Sequence, residues 1–308
     1  MFDTLITFAI IFAASLLFKL LRVGSNAVKE GINKVVLNVL LPALGVKTFS
    51  WADTDPSVLL VPASAWVVVV LTTLIGLLTV KVIKLFFTVS FEETGVLIIL
   101  TAFGNVLYLG VPVLEALYGV ETVKYALLFD LLATSILAWT LAAFVASYYG
   151  DRKPLSLRGS IKTIVTLPPL WGIIVGVLLN LTGLRPEGAL LKTLDMLSCA
   201  VTPLMIFSVG LSLTMPTVKH SLLLIPFLVI KLILSPLIAF YVTGFIGMEG
   251  IARKATVMES AMPVMVLLLI ISDRYRLNMP LTALAITMST ALSFITLPLV
   301  AYLLERYA

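Results

Sequence analysis

Apolar residues run through this chain in long blocks, each close to the length that crosses a bilayer, and polar residues are confined to short intervals between them. The blocks predict spans at about Asp3 to Leu21, Lys34 to Phe49, Val58 to Phe86, Glu92 to Tyr118 and Thr122 to Tyr148 in the first half. In the second half they fall at Ser160 to Thr182, Gly188 to Leu213, Ser221 to Gly247, Ile251 to Ser272 and Leu281 to Arg306. Two blocks are interrupted. The run Phe103-Gly104-Asn105-Val106-Leu107-Tyr108-Leu109-Gly110-Val111-Pro112 breaks the fourth, and Met262-Pro263, after Glu259, breaks the ninth at the corresponding place. Proline removes a backbone donor and glycine loosens the helical ladder, so at membrane depth the freed groups must face protein or water. Paired breaks of this kind mark a transporter's binding site.

The longest polar connection, Gly150 to Arg158, leaves five predicted spans on either side, and an odd number of spans per half inverts one half relative to the other. The expected fold is therefore an all-α polytopic membrane protein. It has ten transmembrane helices in two inverted five-helix repeats, residues 1–150 and 151–308, with helices 4 and 9 broken and crossing. Pro42 in the second span and Pro203 in the seventh form a second matched pair and are read as helix-break support.

Composition narrows the function classes. Hydrophobic residues make up 60% of the chain and charged residues 12%, with mean hydropathy +1.14, which leaves room for no sizeable soluble domain. The first block has no basic n-region and carries Asp3, so it reads as a retained helix rather than a signal peptide. The net charge of +5 lies in short loops and reflects the positive-inside bias, not nucleic-acid binding. With both termini on the non-cytoplasmic side of the cell membrane, the cytoplasmic loops would collect 13 of the Lys and Arg residues and the opposite side 7. One cysteine, Cys199, and one histidine, His220 at a span edge, make no metal or haem cluster. Hydrolase, metalloprotease and phosphate-loop motifs are missing, so neither an enzyme nor a cofactor is expected.

Where two broken helices cross, half-helix N-termini bring positive dipole ends to one spot, which suits a carboxylate or another anion. Gly104 and Gly110 let the backbone bend there, or else serve close helix packing. Asn105 offers a donor and an acceptor, to a ligand or to neighbouring backbone, and Tyr108 stacks on a ring or simply packs. Met262, with Met258 and Met265, lines the site or fills space. Three ionisable residues fall inside spans, where a charge costs at least about 2.5–3.5 kcal/mol and needs a partner, a water path or a proton. Glu259 lies one helical turn before Pro263 and is a candidate for proton coupling, against pairing with Arg253 or Lys254. Asp130 is a second candidate, against a structural hydrogen-bonded carboxyl. Lys231 pairs with a carboxylate or snorkels. Asp195 is expected near a span entrance.

Taken together, Leu40-Leu41-Pro42-Ala43, the run from Phe103 to Pro112, Pro203 to Leu213, Glu259-Ser260-Ala261-Met262-Pro263 and Ser289 to Pro298 resemble the auxin efflux carrier family. The resemblance covers essentially the whole chain. It implies a scaffold of helices 1, 2, 6 and 7, a transport domain of helices 3–5 and 8–10, elevator motion, a homodimer joined through the scaffold, and small organic anions as substrates. Asn105 and Pro112 match the family's first crossover and Pro263 its second. Unlike many members, this chain follows the second proline with apolar Val264-Met265-Val266-Leu267-Leu268, and it lacks the long central loop of the plant carriers. The expected function is export of a small organic anion, auxin-like or carboxylate. The alternatives are a sodium-coupled organic anion symporter related to bile acid carriers, and a non-transporting sensor that binds a lipid at the crossover.

Overall fold

In the computed structural model residues 2–21, 23, 26–52, 56–151, 156–212 and 221–307 are described. Asp53, Asp55, residues 152–155 of the central connection and His220 lie outside the described residues. The described residues are mostly helical, and the one β-pairing among them is an isolated antiparallel bridge between Gly104 and Val264. Among the described residues, six helices are long and apolar enough to cross a membrane: Ala27–Ser50, Leu60–Ile83, Val120–Tyr149, Gly188–Ser212, Ser221–Phe245 and Met279–Tyr307. A seventh is reached if Arg158–Val165 and Pro168–Thr182 count as one broken span.

That last pair corrects the single span expected from Ser160 to Thr182. Leu167 is extended, with φ −66° and ψ 117°, because a residue preceding proline is pushed out of the helical region. Pro168 then occupies the first position of a new helix, where its missing N–H is no loss. The helix before Pro42 also begins earlier than expected, at Asn26 rather than Lys34, because its first turns are amphipathic rather than apolar.

The expected breaks in the fourth and ninth blocks are present. Helix Phe91–Leu100 ends, the chain runs extended through Gly104, and helix resumes at Val106. Helix Gly250–Ser260 likewise stops before Met262-Pro263, and Leu267–Arg274 follows. Five π-turns interrupt the helices among the described residues, and three of them, Val36–Leu40, Val106–Gly110 and Ile230–Leu234, end two residues before Pro42, Pro112 and Pro236. A proline inside a helix lacks its donor and pushes against the carbonyl four residues back, so a wider turn relieves both conflicts. Helix therefore continues through Pro42, and Pro203 sits in the first turn of Val201–Ser212.

The chain divides into two compact units. The first comprises 1–56, 107–127 and 165–212. Its closest pairing joins helices Leu41–Ser50 and Pro168–Thr182 through Gly45, Gly172 and Gly176; a side chain on Gly172 would overlap the Pro42 carbonyl. Small residues at such a crossing let the backbones approach, and van der Waals contact then holds the pair together. Polar ties in this unit join segments distant in sequence: Lys47 pairs with Asp195 at 2.6 Å, Thr202 Oγ1 donates to Glu115 Oε2 at 2.6 Å, and Lys19 Nζ donates to the Leu211 carbonyl at 2.9 Å.

The second unit comprises 57–106, 128–164 and 213–308. Its core is built on Val96–Phe103, packed with Leu224, Phe227 and Leu228 and with Leu268, Ile271, Leu281 and Ala285. Helix Phe91–Leu100 starts with a reciprocal cap in which Glu93 N donates to Ser90 Oγ and Ser90 N donates to Glu93 Oε2, which fixes the direction in which the chain enters the core.

Candidate functional site

The two broken segments of the second unit meet as a single rung of β-structure. Asn105 N donates to the Pro263 carbonyl at 2.7 Å, and Met265 N donates to the Phe103 carbonyl at 2.9 Å. Gly104 keeps the crossing close: a Cβ there would stand 3.2 Å from both the Met262 carbonyl and Lys231 Nζ, tighter than ordinary contact. Val264 N, at the crossing, donates to Ser289 Oγ at 3.0 Å. The apolar run after Pro263 is thus complemented by a hydroxyl from the last helix.

Lys231 is the central charge. It is 1% exposed, and its ammonium donates to the Ser260 carbonyl at 2.8 Å, an acceptor shared with Ser235 Oγ at 2.9 Å. Ser260 is the last residue of Gly250–Ser260, so its carbonyl belongs to the unpaired end of that helix, where the dipole favours a cation. The lysine is thereby a buried cap on a helix that ends inside the protein, rather than a snorkelling side chain.

Glu259 is fully buried, and neither carboxyl oxygen has a hydrogen-bond partner. The pairing with Arg253 or Lys254 is not made: Arg253 Nη2 donates to the Phe240 carbonyl at 3.3 Å, and Lys254 pairs with Glu305 at 3.0 Å. The charged groups that act on Glu259 are Asp130 and Lys231. Asp130, 1% exposed, accepts from Ser135 Oγ at 2.7 Å through Oδ2, and its Oδ1 is unpartnered. Asp130 and Lys231 each lie in a π-turn, Asp130–Thr134 and Ile230–Leu234. Such turns recur at functional sites because the inserted residue re-aims side chains relative to a regular helix.

Asn105 is 2% exposed, and its carboxamide nitrogen has no acceptor. A buried amide donor without a partner costs about 1–3 kcal/mol. The structure therefore brings together Gly104, Asn105, Met262 and Pro263 with Lys231, Glu259 and Asp130. Tyr108, Gly110 and Pro112 belong to the first unit, on the helix Val106–Tyr118. Asp195 is committed to Lys47. Sequence reasoning missed the hydroxyls, Ser135, Ser235 and Ser289, and the Ser260 carbonyl. One signal was present: Lys231 and Ser235 stand four residues apart, on one helical face.

The site is thus a buried polar crossing of two broken apolar helices, with a fixed ammonium, two carboxyls and an amide donor. The family model described as membrane transport protein matches residues 1–301. The chain belongs to the membrane transport protein family. It is 28% identical over 302 residues to a protein of Methanothermobacter thermautotrophicus named as an uncharacterized transporter, covering 96% of both chains. It is also 27% identical over 280 residues to one of Methanocaldococcus jannaschii with the same description, covering 89% of both. The family is the auxin efflux carrier type, as the residues quoted above implied. For a membrane transport protein, broken helices are the expected place to hold cargo, because backbone groups freed from the helical ladder become ligands there.

Proposed function

We propose that this chain is a secondary transporter or facilitator that exports a small organic anion, auxin-like or carboxylate, by elevator-type alternating access. The single observation that carries the reading is the buried Asn105 carboxamide nitrogen, without an acceptor, at the Gly104–Val264 crossing. An anion's oxygen supplies the missing acceptor, and the Lys231 ammonium on the Ser260 carbonyl adds positive potential to the same crossing. Because that ammonium already serves the carbonyl end of helix Gly250–Ser260, the reading favours transport that needs no sodium ion. In this reading the ten helical segments form two inverted repeats, 1–150 and 151–308, with both termini outside the cytoplasm.

The unit carrying the crossing is the proposed mobile body, and the unit of 1–56, 107–127 and 165–212 is the proposed scaffold through which two copies pair. Residues 107–127, which carry Tyr108, Gly110 and Pro112, cluster with the proposed scaffold rather than with the rest of the fourth and fifth spans. Export of one negative charge down the membrane potential gains about 2.3 kcal/mol per 100 mV, enough to drive useful flux without a coupling ion.

The test is thermal stabilisation of the purified protein by indole-3-acetate, malonate, malate and a hydrophobic monocarboxylate, with Asn105→Ala alongside. A stabilising anion whose effect disappears in Asn105→Ala supports the site, and potential-driven flux of that anion from proteoliposomes supports export. Stabilisation by sodium alone, or none by any anion, would defeat the reading.

A further inference from the structure

An apolar groove of about 630 Å³ opens on the surface of the second unit, between Ile230–Phe245, Gly250–Ser260 and Met279–Tyr307. The volume falls in the range of about 300–1,000 Å³ typical of small-molecule sites. Its walls are almost wholly hydrocarbon. Leu237 and Leu299, each about half exposed, line it from different helices, and the two exposed tyrosines Tyr241 and Tyr307 stand at one end.

That end is cationic. The Arg253 guanidinium lies 4.3 Å over the ring of Phe240, itself part of the groove wall, and its Nη2 donates to the Phe240 carbonyl at 3.3 Å. Arg306 stacks over Tyr307 at 5.4 Å. The nearby carboxylate of Glu305 is neutralised by Lys254. From Thr296, at the inner end, to Tyr307 the groove follows three turns of helix, roughly 16 Å at about 1.5 Å per residue. That is close to half of the roughly 30 Å hydrocarbon core, which makes the groove one leaflet deep. Tyrosines at the level where the hydrocarbon ends are the usual marker of the headgroup boundary.

We infer that this groove binds one membrane phospholipid with an anionic headgroup, its acyl chain along Leu237 and Leu299 and its phosphate on Arg253. Depth matches one leaflet, apolar walls match the chain, and the cationic end matches the phosphate. The site is separate from the proposed cargo site and does not depend on what is transported. A lipid held against three helices of one unit would brace that unit as a body.

The test uses full-length protein purified in detergent, delipidated and then incubated with phosphatidylglycerol or with diacylglycerol of the same chains, with retained lipid counted by native mass spectrometry. The wild type is expected to retain one phosphatidylglycerol per chain, with about tenfold preference over diacylglycerol, which has the acyl chains but no phosphate, the size expected of one charge-assisted hydrogen bond. Arg253→Gln should lose the preference while still retaining either lipid. Leu299→Trp, which fills the groove, should lose retention altogether, and Leu237→Trp on a different lining helix provides the same readout if the first variant fails to fold. Equal retention of both lipids by the wild type would overturn the proposal. So would unchanged retention in a folded groove-filling variant, and a change of oligomeric state in that variant with retention intact would assign the groove to a second copy of the chain.

Discussion

Lys231 Nζ donates to the Ser260 carbonyl at 2.8 Å, so a buried ammonium closes the end of a helix that stops inside the protein. The same ammonium is the cation acting on Glu259, within a group that also contains Asp130. Removing one charge from such a group leaves the others uncompensated, and this is where buried ionic clusters are most sensitive to substitution.

Lys231→Met keeps the stem and deletes the charge. It is expected to destabilise the protein by about 3 kcal/mol, the lower end for breaking a buried ionic group. Adding Glu259→Gln to Lys231→Met should recover part of that loss. Thermal unfolding of the two single variants and the double variant in detergent measures the coupling, and strict additivity would separate the two residues energetically.

Gly104→Ala places a methyl group 3.2 Å from a backbone carbonyl and from Lys231 Nζ. The lysine tip can yield and the Met262 carbonyl cannot, so the crossing must open. About 1–2 kcal/mol of stability is expected to be lost, as for mild overpacking, together with any anion-induced stabilisation. Retained anion response in Gly104→Ala would show that the close approach is not required for binding.

Glu259 is the buried carboxyl without a hydrogen-bond partner. If protons move with the cargo, Glu259→Gln should flatten the dependence of flux on pH while leaving the folded state intact, and Asp130→Asn should do so less, because Asp130 already accepts from Ser135. Proteoliposome flux measured across pH 5 to 8, a window of roughly this width being where coupled carboxyls and histidines act, decides the matter. Unchanged profiles in both variants would leave the membrane potential as the driving force.

Gly172→Ala drives a methyl group into the backbone of Pro42 and should cost about 2–3 kcal/mol. Gly31→Ala meets nothing within 4 Å, and in a helix interior it should gain up to about 1 kcal/mol. Unfolding measurements on the two variants separate a packing glycine from an incidental one. Equal effects would mean that the Leu41–Ser50 and Pro168–Thr182 pairing tolerates separation.

The breaks were legible in the sequence because proline and glycine alter the backbone itself: Gly104, Pro263 and the segments around them lie where the residue types put them. The burial of Asp130 and Lys231 was legible too, since a charge flanked by apolar residues has no solvent to face, and Glu259 was marked by its place one turn before Pro263. Their shared location was not. It depends on π-turns at Asp130–Thr134 and Ile230–Leu234, formed largely of ordinary apolar residues. The break at Pro168 was also readable, from two adjacent prolines, but a continuous apolar block hid it. Hydroxyls such as Ser289 stay silent in sequence, since a serine in a membrane helix usually bonds its own backbone and only the fold shows which one turns outward.

The rung between Gly104 and Val264 also sets an order of events during synthesis. Phe103 and Asn105 enter the membrane with a carbonyl and an N–H that have no helical partner, and the strand that satisfies them emerges roughly 160 residues later. Until then the first half carries exposed backbone polarity in a solvent that cannot hydrate it. The nascent chain must therefore remain sheltered at the insertion machinery until its second half arrives, and the crossing is among the last contacts the protein makes.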